Sequence, residues 1–174
     1  MNKMTQKHSK SSKITPFLSI FASFLTILVI FSFFLQTSCA KSEQGCASPS
    51  PSTLSEDQQI LDYCTTNKIT YTKDSRGFYY QIIKPGNSNK PTLNSLISIT
   101  YKGTYLNKSS FENGENSWKL SSLITGWQYS LPLIGEGGQI LVILPSNLAY
   151  GSTGAGCIPP NTPLVFDINL SAVK

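Results

Sequence analysis

The chain has 174 residues, enough for one domain with additions, and carries fourteen Lys and Arg against nine Asp and Glu. Residues 1–38 hold four of those bases and none of the acids, so the remainder stands at ten against nine and offers no basic surface for nucleic acid. The single histidine, His8, also lies in that first stretch, which leaves residues 39–174 without a Ser–His or Cys–His pair or an ordinary zinc site.

Lys3, Lys7, Lys10 and Lys13 make a basic start, and residues 17–35 follow as an uncharged, apolar run of 19 residues. That order is the pattern of a secretory signal or a membrane anchor. The run is long for a signal core and just long enough to span a bilayer as a helix. It ends in Leu-Gln-Thr-Ser-Cys at 35–39, which is similar to a bacterial lipoprotein cleavage site, although Gln36 stands where an aliphatic residue is usual. Cleavage would leave Cys39 as a lipidated first residue. An uncleaved anchor and simple secretion are the alternatives. The expected location is the bacterial cell envelope, held to a membrane by the lipid or the N-terminal segment, with the domain outside the cytoplasm.

Residues 39–53 are rich in Ser, Pro and small side chains and read as a flexible tether. A helix is expected within 54–67. Ser55 is its N-cap, Glu56 and Asp57 sit in the first turn, and Ile60, Leu61 and Cys64 form its apolar face. It reads as a packing appendage rather than a dimerisation arm. The remaining residues, 68–174, form the domain proper, with its motifs in 95–174. Strands are expected at 69–73 and 78–83 around an Asp-Ser-Arg-Gly turn, and at 96–106, with Ile97, Ile99, Tyr101 and Gly103 on one face. Residues 108–116 read as a polar loop around Phe111 and 118–120 as a short strand. A single internal helix at 125–133 precedes strands at 139–145 and 163–173. Strands with one helix packed across them predict an antiparallel α+β fold.

The most informative stretch is 148–170, LAYGSTGAGCIPPNTPLVFDINL. Its glycines do not read as a phosphate loop, because neither a Lys-Ser or Lys-Thr pair nor a helix pattern follows. Leu164, Phe166, Ile168 and Leu170 instead alternate with Val165, Asp167 and Asn169, the period of a half-buried strand. A tyrosine, a loop and an aromatic-bearing strand together enclose a pocket for an apolar group.

This stretch resembles the FK506-binding-protein (FKBP) family of peptidyl-prolyl isomerases. So do Ile-Thr-Tyr-Lys-Gly at 99–103, Leu-Ile-Thr-Gly-Trp at 123–127, Ala-Tyr-Gly at 149–151 and Ile-Pro-Pro-Asn at 158–161, which stand in the family's order. The resemblance implies a curved, mostly antiparallel sheet wrapped on one short helix. It implies catalysis of Xaa-Pro rotation in exported proteins without metal or cofactor. Proline-containing polypeptides would be the substrates and FK506-type macrolides the corresponding ligands. Trp127 would be the floor beneath the proline ring, with Tyr101, Phe111, Leu123, Ile124 and Phe166 as walls and Ile158 on the rim. The Ile124 N–H and the Tyr150 hydroxyl would donate to substrate carbonyls. Trp118 stands where the family usually has Phe, and Glu112 where it usually has Asp. Ala155-Gly156-Cys157 replaces bulkier residues in a loop one residue shorter than the commonest form. These departures leave an FKBP-fold binding module or holdase with little turnover as the alternative. A purely structural lipoprotein is a third reading, which the aromatic cup disfavours.

With Cys39 assigned to lipid, Cys46, Cys64 and Cys157 are an odd set for an oxidising compartment. One pair and one free thiol are expected, with the pairing open. No base is available to activate Cys157 as a nucleophile, and it reads as a small residue lining the loop.

Overall fold

The computed structural model describes residues 49–174. The expected signal or anchor, the expected lipidation at Cys39, Cys46 and the start of the expected tether lie outside the described residues. Among the described residues no helix is long and apolar enough to cross a membrane.

Six strands form one sheet in the order β1-β2-β5-β6-β3-β4, antiparallel at every pairing. They are β1 (Thr72–Lys73), β2 (Tyr79–Lys84), β3 (Leu96–Tyr105), β4 (Ser110–Lys119), β5 (Gln139–Leu144) and β6 (Leu164–Val173). Helix α1 (Glu56–Thr66) precedes them, and helix α2 (Thr125–Ser130) lies between β4 and β5. The antiparallel sheet with one short internal helix is the architecture that the sequence implies.

The two helices serve opposite faces of the sheet. Val142 and Leu144 of β5 and Leu164, Phe166, Ile168 and Leu170 of β6 share a core with Trp127 and Leu131 of the α2 segment. The alternate residues Ile143 and Val165 pack with Tyr79 against Ile60 and Cys64 of α1. Ser55 caps α1 by accepting from the Gln58 N–H at 3.2 Å. Burial of its apolar stripe then holds the helix, at about 1.5–3 kcal/mol for each fully buried Ile. The start of β6 is therefore buried on both faces rather than half-buried, because α1 covers Val165. Asp167 and Asn169, beyond that cover, remain accessible.

Three elements differ from their sequence reading, the first being the strand expected at 69–73, of which only the two residues of β1 form. Of the expected loop only residues 108–109 stay outside a strand. Residues 110–116 continue through 117–119 as one long edge strand, β4, paired with β3 from Leu96↔Lys119 to Thr104↔Ser110. Its polar side chains hide it from a periodicity reading, because an edge strand can face water along most of its length. The internal helix also stops early. Pro132, which has no N–H to donate, falls in a 3₁₀ turn, Leu131–Leu133, that replaces the last third.

A bulge in β4 shapes the pocket. Gly103 pairs with Glu112 but Thr104 pairs with Ser110, so Phe111 is the extra residue. In a regular strand Phe111 and Glu112 would point to opposite faces. The bulge lets both line the same side of the sheet. Gly103 makes room beneath: a Cβ there would lie 2.5 Å from the Phe111 ring. Gly126 likewise lets α2 approach β5, since a Cβ would lie 2.4 Å from Leu144.

Candidate active site

On the α2 side of the sheet, Tyr101, Glu112, Trp118, Ser122, Leu123, Ile124, Trp127, Tyr150 and Phe166 line an open cavity of about 350 Å³. A second hollow adjoins it, sharing Glu112 and Tyr150 and adding Phe111, Cys157 and Ile158 with Ala155 and Gly156. All ten expected pocket residues thus come together, eight in the main cavity and Phe111 and Ile158 next door.

The rings pack edge to face. Trp127 meets Tyr101 at 5.1 Å and 74°, and Phe166 at 5.1 Å and 87°. Phe166 meets Phe111 at 5.7 Å and 90°. Such pairs contribute roughly 0.5–1.5 kcal/mol beyond area burial, so each wall holds the next. Trp118 extends the cup by a tilted contact with Tyr101 at 6.0 Å. Trp127 is only 5% exposed, and its indole N–H has no hydrogen-bond partner.

The polar groups are few. The Tyr101 hydroxyl donates to Glu112 Oε1 at 2.7 Å, so the longer carboxylate stem still reaches it. Burial, and then the neighbouring carboxylate, push the Tyr101 phenol well above its ordinary range. Tyr150 is shifted the same way, first by burial and then by the charge of Glu112. Both phenols are therefore held as neutral donors. Ile124 caps α2, and its carbonyl accepts from the Trp127 and Gln128 N–H groups at 2.9 and 3.2 Å. Gln128 in turn donates from Nε2 to the Leu123 carbonyl at 2.7 Å, fixing that wall.

The rim loop is built on its own hydrogen bonds. Gly154 N–H donates to the Tyr150 carbonyl at 3.1 Å, and Ala155 and Ile158 exchange bonds at 3.0 and 2.8 Å. Cys157 lines the hollow as expected but is disulfide-bonded, and Cys64 is the free, buried thiol among the described residues. Burial raises the Cys64 thiol above its ordinary range and keeps it unreactive.

Two further residues take part that the sequence reading does not single out. Ser122 reaches the cavity only because a 3₁₀ turn, Leu120–Ser122, brings it there. Tyr105 ends β3, stacks on Phe111 at 5.1 Å and donates to the Cys157 carbonyl at 2.7 Å, joining wall to rim. A tyrosine four residues after Tyr101 continues the same strand face, which would have placed its ring but not its loop partner.

The family described as FKBP-type peptidyl-prolyl cis-trans isomerase matches residues 87–171. These residues form an FKBP-type domain. A curated relative, the FKBP-type peptidyl-prolyl cis-trans isomerase FkpA of Escherichia coli, is 39% identical over 105 residues, covering 58% of this chain and 39% of its own. The chain thus spans about two fifths of that relative's length. The crystal structure of FkpA from Escherichia coli superposes with a TM-score of 0.63 at 33% identity, over 68% of this chain and 59% of that one. A peptidyl-prolyl cis-trans isomerase from Pseudomonas syringae gives 0.60 at 27% identity, over 71% of this chain and 99% of the other. Helix α1 and strands β1 and β2 precede the matched FKBP-type stretch.

Proposed function

We propose that the FKBP-type domain catalyses cis–trans isomerisation of Xaa-Pro bonds in polypeptides. The observation that carries this reading is the ring-lined cup on Trp127, with neutral donors at its edge. Rotation about a peptide bond is slow because the amide loses resonance, with a barrier on the order of 18–20 kcal/mol. No covalent bond has to be made or broken. The site has to bind the twisted amide better than the planar one. The twisted amide is the less polar form, so an apolar cup that replaces water favours it.

Each residue then has a part. Trp127 supports the proline ring, and Tyr101, Leu123 and Phe166 enclose it. The Ile124 N–H donates to the carbonyl of one flanking residue and the Tyr150 hydroxyl to another. Glu112 holds Tyr101 in place. Phe111, Trp118 and Ile158 contact the residue before proline, for which apolar side chains are preferred.

We place the domain outside the cytoplasm, acting on exported proteins and anchored through Cys39. The disulfide at Cys157 supports this location, because such bonds persist in oxidising compartments. Mass spectrometry of the envelope-extracted protein should find a diacylglyceryl N-terminus at Cys39, and an intact N-terminus would point to the uncleaved anchor.

The catalytic reading is tested by NMR exchange on a short Leu-Pro peptide with the full chain. Exchange accelerated at substoichiometric protein and blocked by an FK506-type macrolide is expected. Binding without acceleration would favour the peptide-binding module or holdase.

A further inference from the structure

We propose that Glu56, in helix α1, is a positioning residue for the active site, acting through Ser146 to set where Tyr150 presents its hydroxyl. Glu56 opens α1, outside the family match at 87–171, and sits on the sheet face opposite the cup. Its carboxylate accepts twice from one residue 90 positions away. The Ser146 N–H donates to Oε2 at 2.5 Å and the Ser146 hydroxyl to Oε1 at 2.6 Å. Ser146 is only 6% exposed, so these charge-assisted bonds are shielded from water.

Ser146 passes the constraint on. Its carbonyl accepts from the Ala149 N–H at 2.9 Å and from the Gly151 N–H at 2.8 Å. Those two peptide groups bracket Tyr150. Every hydrogen-bonding group of Ser146 is thus committed, two donors to Glu56 and the acceptor to the flanks of Tyr150. Gly151, at φ +60°, turns the chain sharply just after the tyrosine.

Helix α1 is fixed firmly enough to act as a reference. Ile60 and Cys64 are fully buried against the sheet. Asp57 accepts from the Tyr79 hydroxyl and pairs with Lys73 at 2.7 Å. A carboxylate placed by the helix therefore fixes the 3₁₀ turn Ser146–Leu148 that follows β5, and that turn fixes Tyr150. Without it, two buried donors of Ser146 lose their acceptor and the turn is free to relax.

This inference rests on Tyr150 acting as a donor in the isomerase site. The test uses the full chain with Glu56→Ala, Glu56→Gln, Ser146→Ala, Tyr150→Phe and the double variant Glu56→Ala/Tyr150→Phe. Two readouts are taken below the melting temperature of every variant: kcat/KM for a proline peptide, and the ring resonances of ¹³C-labelled tyrosines. Glu56→Ala should lower kcat/KM by about threefold to tenfold in the wild-type background and leave it unchanged in the Tyr150→Phe background, as expected for coupled residues. Glu56→Gln keeps one acceptor and should recover part of the loss. Ser146→Ala, a milder change, should fall between. Glu56→Ala should also shift the ring signals of Tyr150 while leaving those of Tyr129 in place.

Equal losses in both backgrounds would overturn the proposal, since Glu56 would then act on the fold alone. Unshifted Tyr150 signals would overturn it as well. If Tyr150→Phe itself leaves catalysis intact, the donor role of Tyr150 fails. The ring signals still decide whether Glu56 places that side chain.

Discussion

The two faces of the central strands are built from alternate residues of the same segments, yet they end in different states. On one face Ile143 and Val165 close completely against α1, and the polar groups at its edge are paired, Glu56 with Ser146 and Asp57 with Tyr79 and Lys73. On the other face Val142 and Phe166 lead into a cup that stays open. The face that keeps a cavity has room for a ligand, whereas the apolar groups of the filled face are packed for stability.

The sharpest way to break this comparison is to truncate one large side chain on each face. Trp127→Ala should abolish measurable peptide binding, and loss of such a side chain from a core costs about 3–5 kcal/mol of stability. Ile60→Ala should cost about 2–5 kcal/mol in urea unfolding. It should leave catalysis by the folded fraction within about twofold, an allowance well under the tenfold that 1.4 kcal/mol represents. Comparable losses of activity per folded molecule would erase the distinction.

A smaller effect is expected at Gly103. Gly103→Ala places a methyl against the Phe111 ring, and such overpacking costs about 1–3 kcal/mol. Peptides with a bulky residue before proline should lose more kcat/KM than those with alanine there, which a substrate series would show.

The smallest change is in the titration of Tyr101. Burial and Glu112 raise its ionisation above that of an exposed tyrosine. A group raised in the folded state stabilises the fold below its unfolded value, about pH 10, and that contribution is lost as pH rises through the folded value. Glu112→Gln removes the second cause but not the first. Tyr101 should then ionise at lower pH than in the wild type but still above an exposed tyrosine, as read by ultraviolet titration.

Much of the cup was legible because its residues recur in fixed local runs. Leu-Ile-Thr-Gly-Trp at 123–127 turns the chain into α2, and Ala-Tyr-Gly at 149–151 sets the rim tyrosine. What escaped was long-range or depended on one extra residue. β4 read as loop because Glu112, Asn113, Glu115 and Asn116 are polar, and nothing local reveals the bulge that turns Phe111 inward. Helix α1 was visible in its cap and stripe, but its contact with Ser146 joins positions 90 residues apart. The odd cysteine count left the pairing open, and the fold decides it in part by burying Cys64 as a free thiol.

The most direct test of where catalysis lies is a chemical-shift titration of the full chain with a Phe-Pro peptide. The expected result is large perturbation of the Trp127 indole N–H, the Ile124 amide and the Tyr150 ring, with the amides of α1 moving little. Perturbations centred on α1, or on the groove between residues 49–52 and 159–163, with the Trp127 indole unmoved, would contradict the assignment of the cup as the active site.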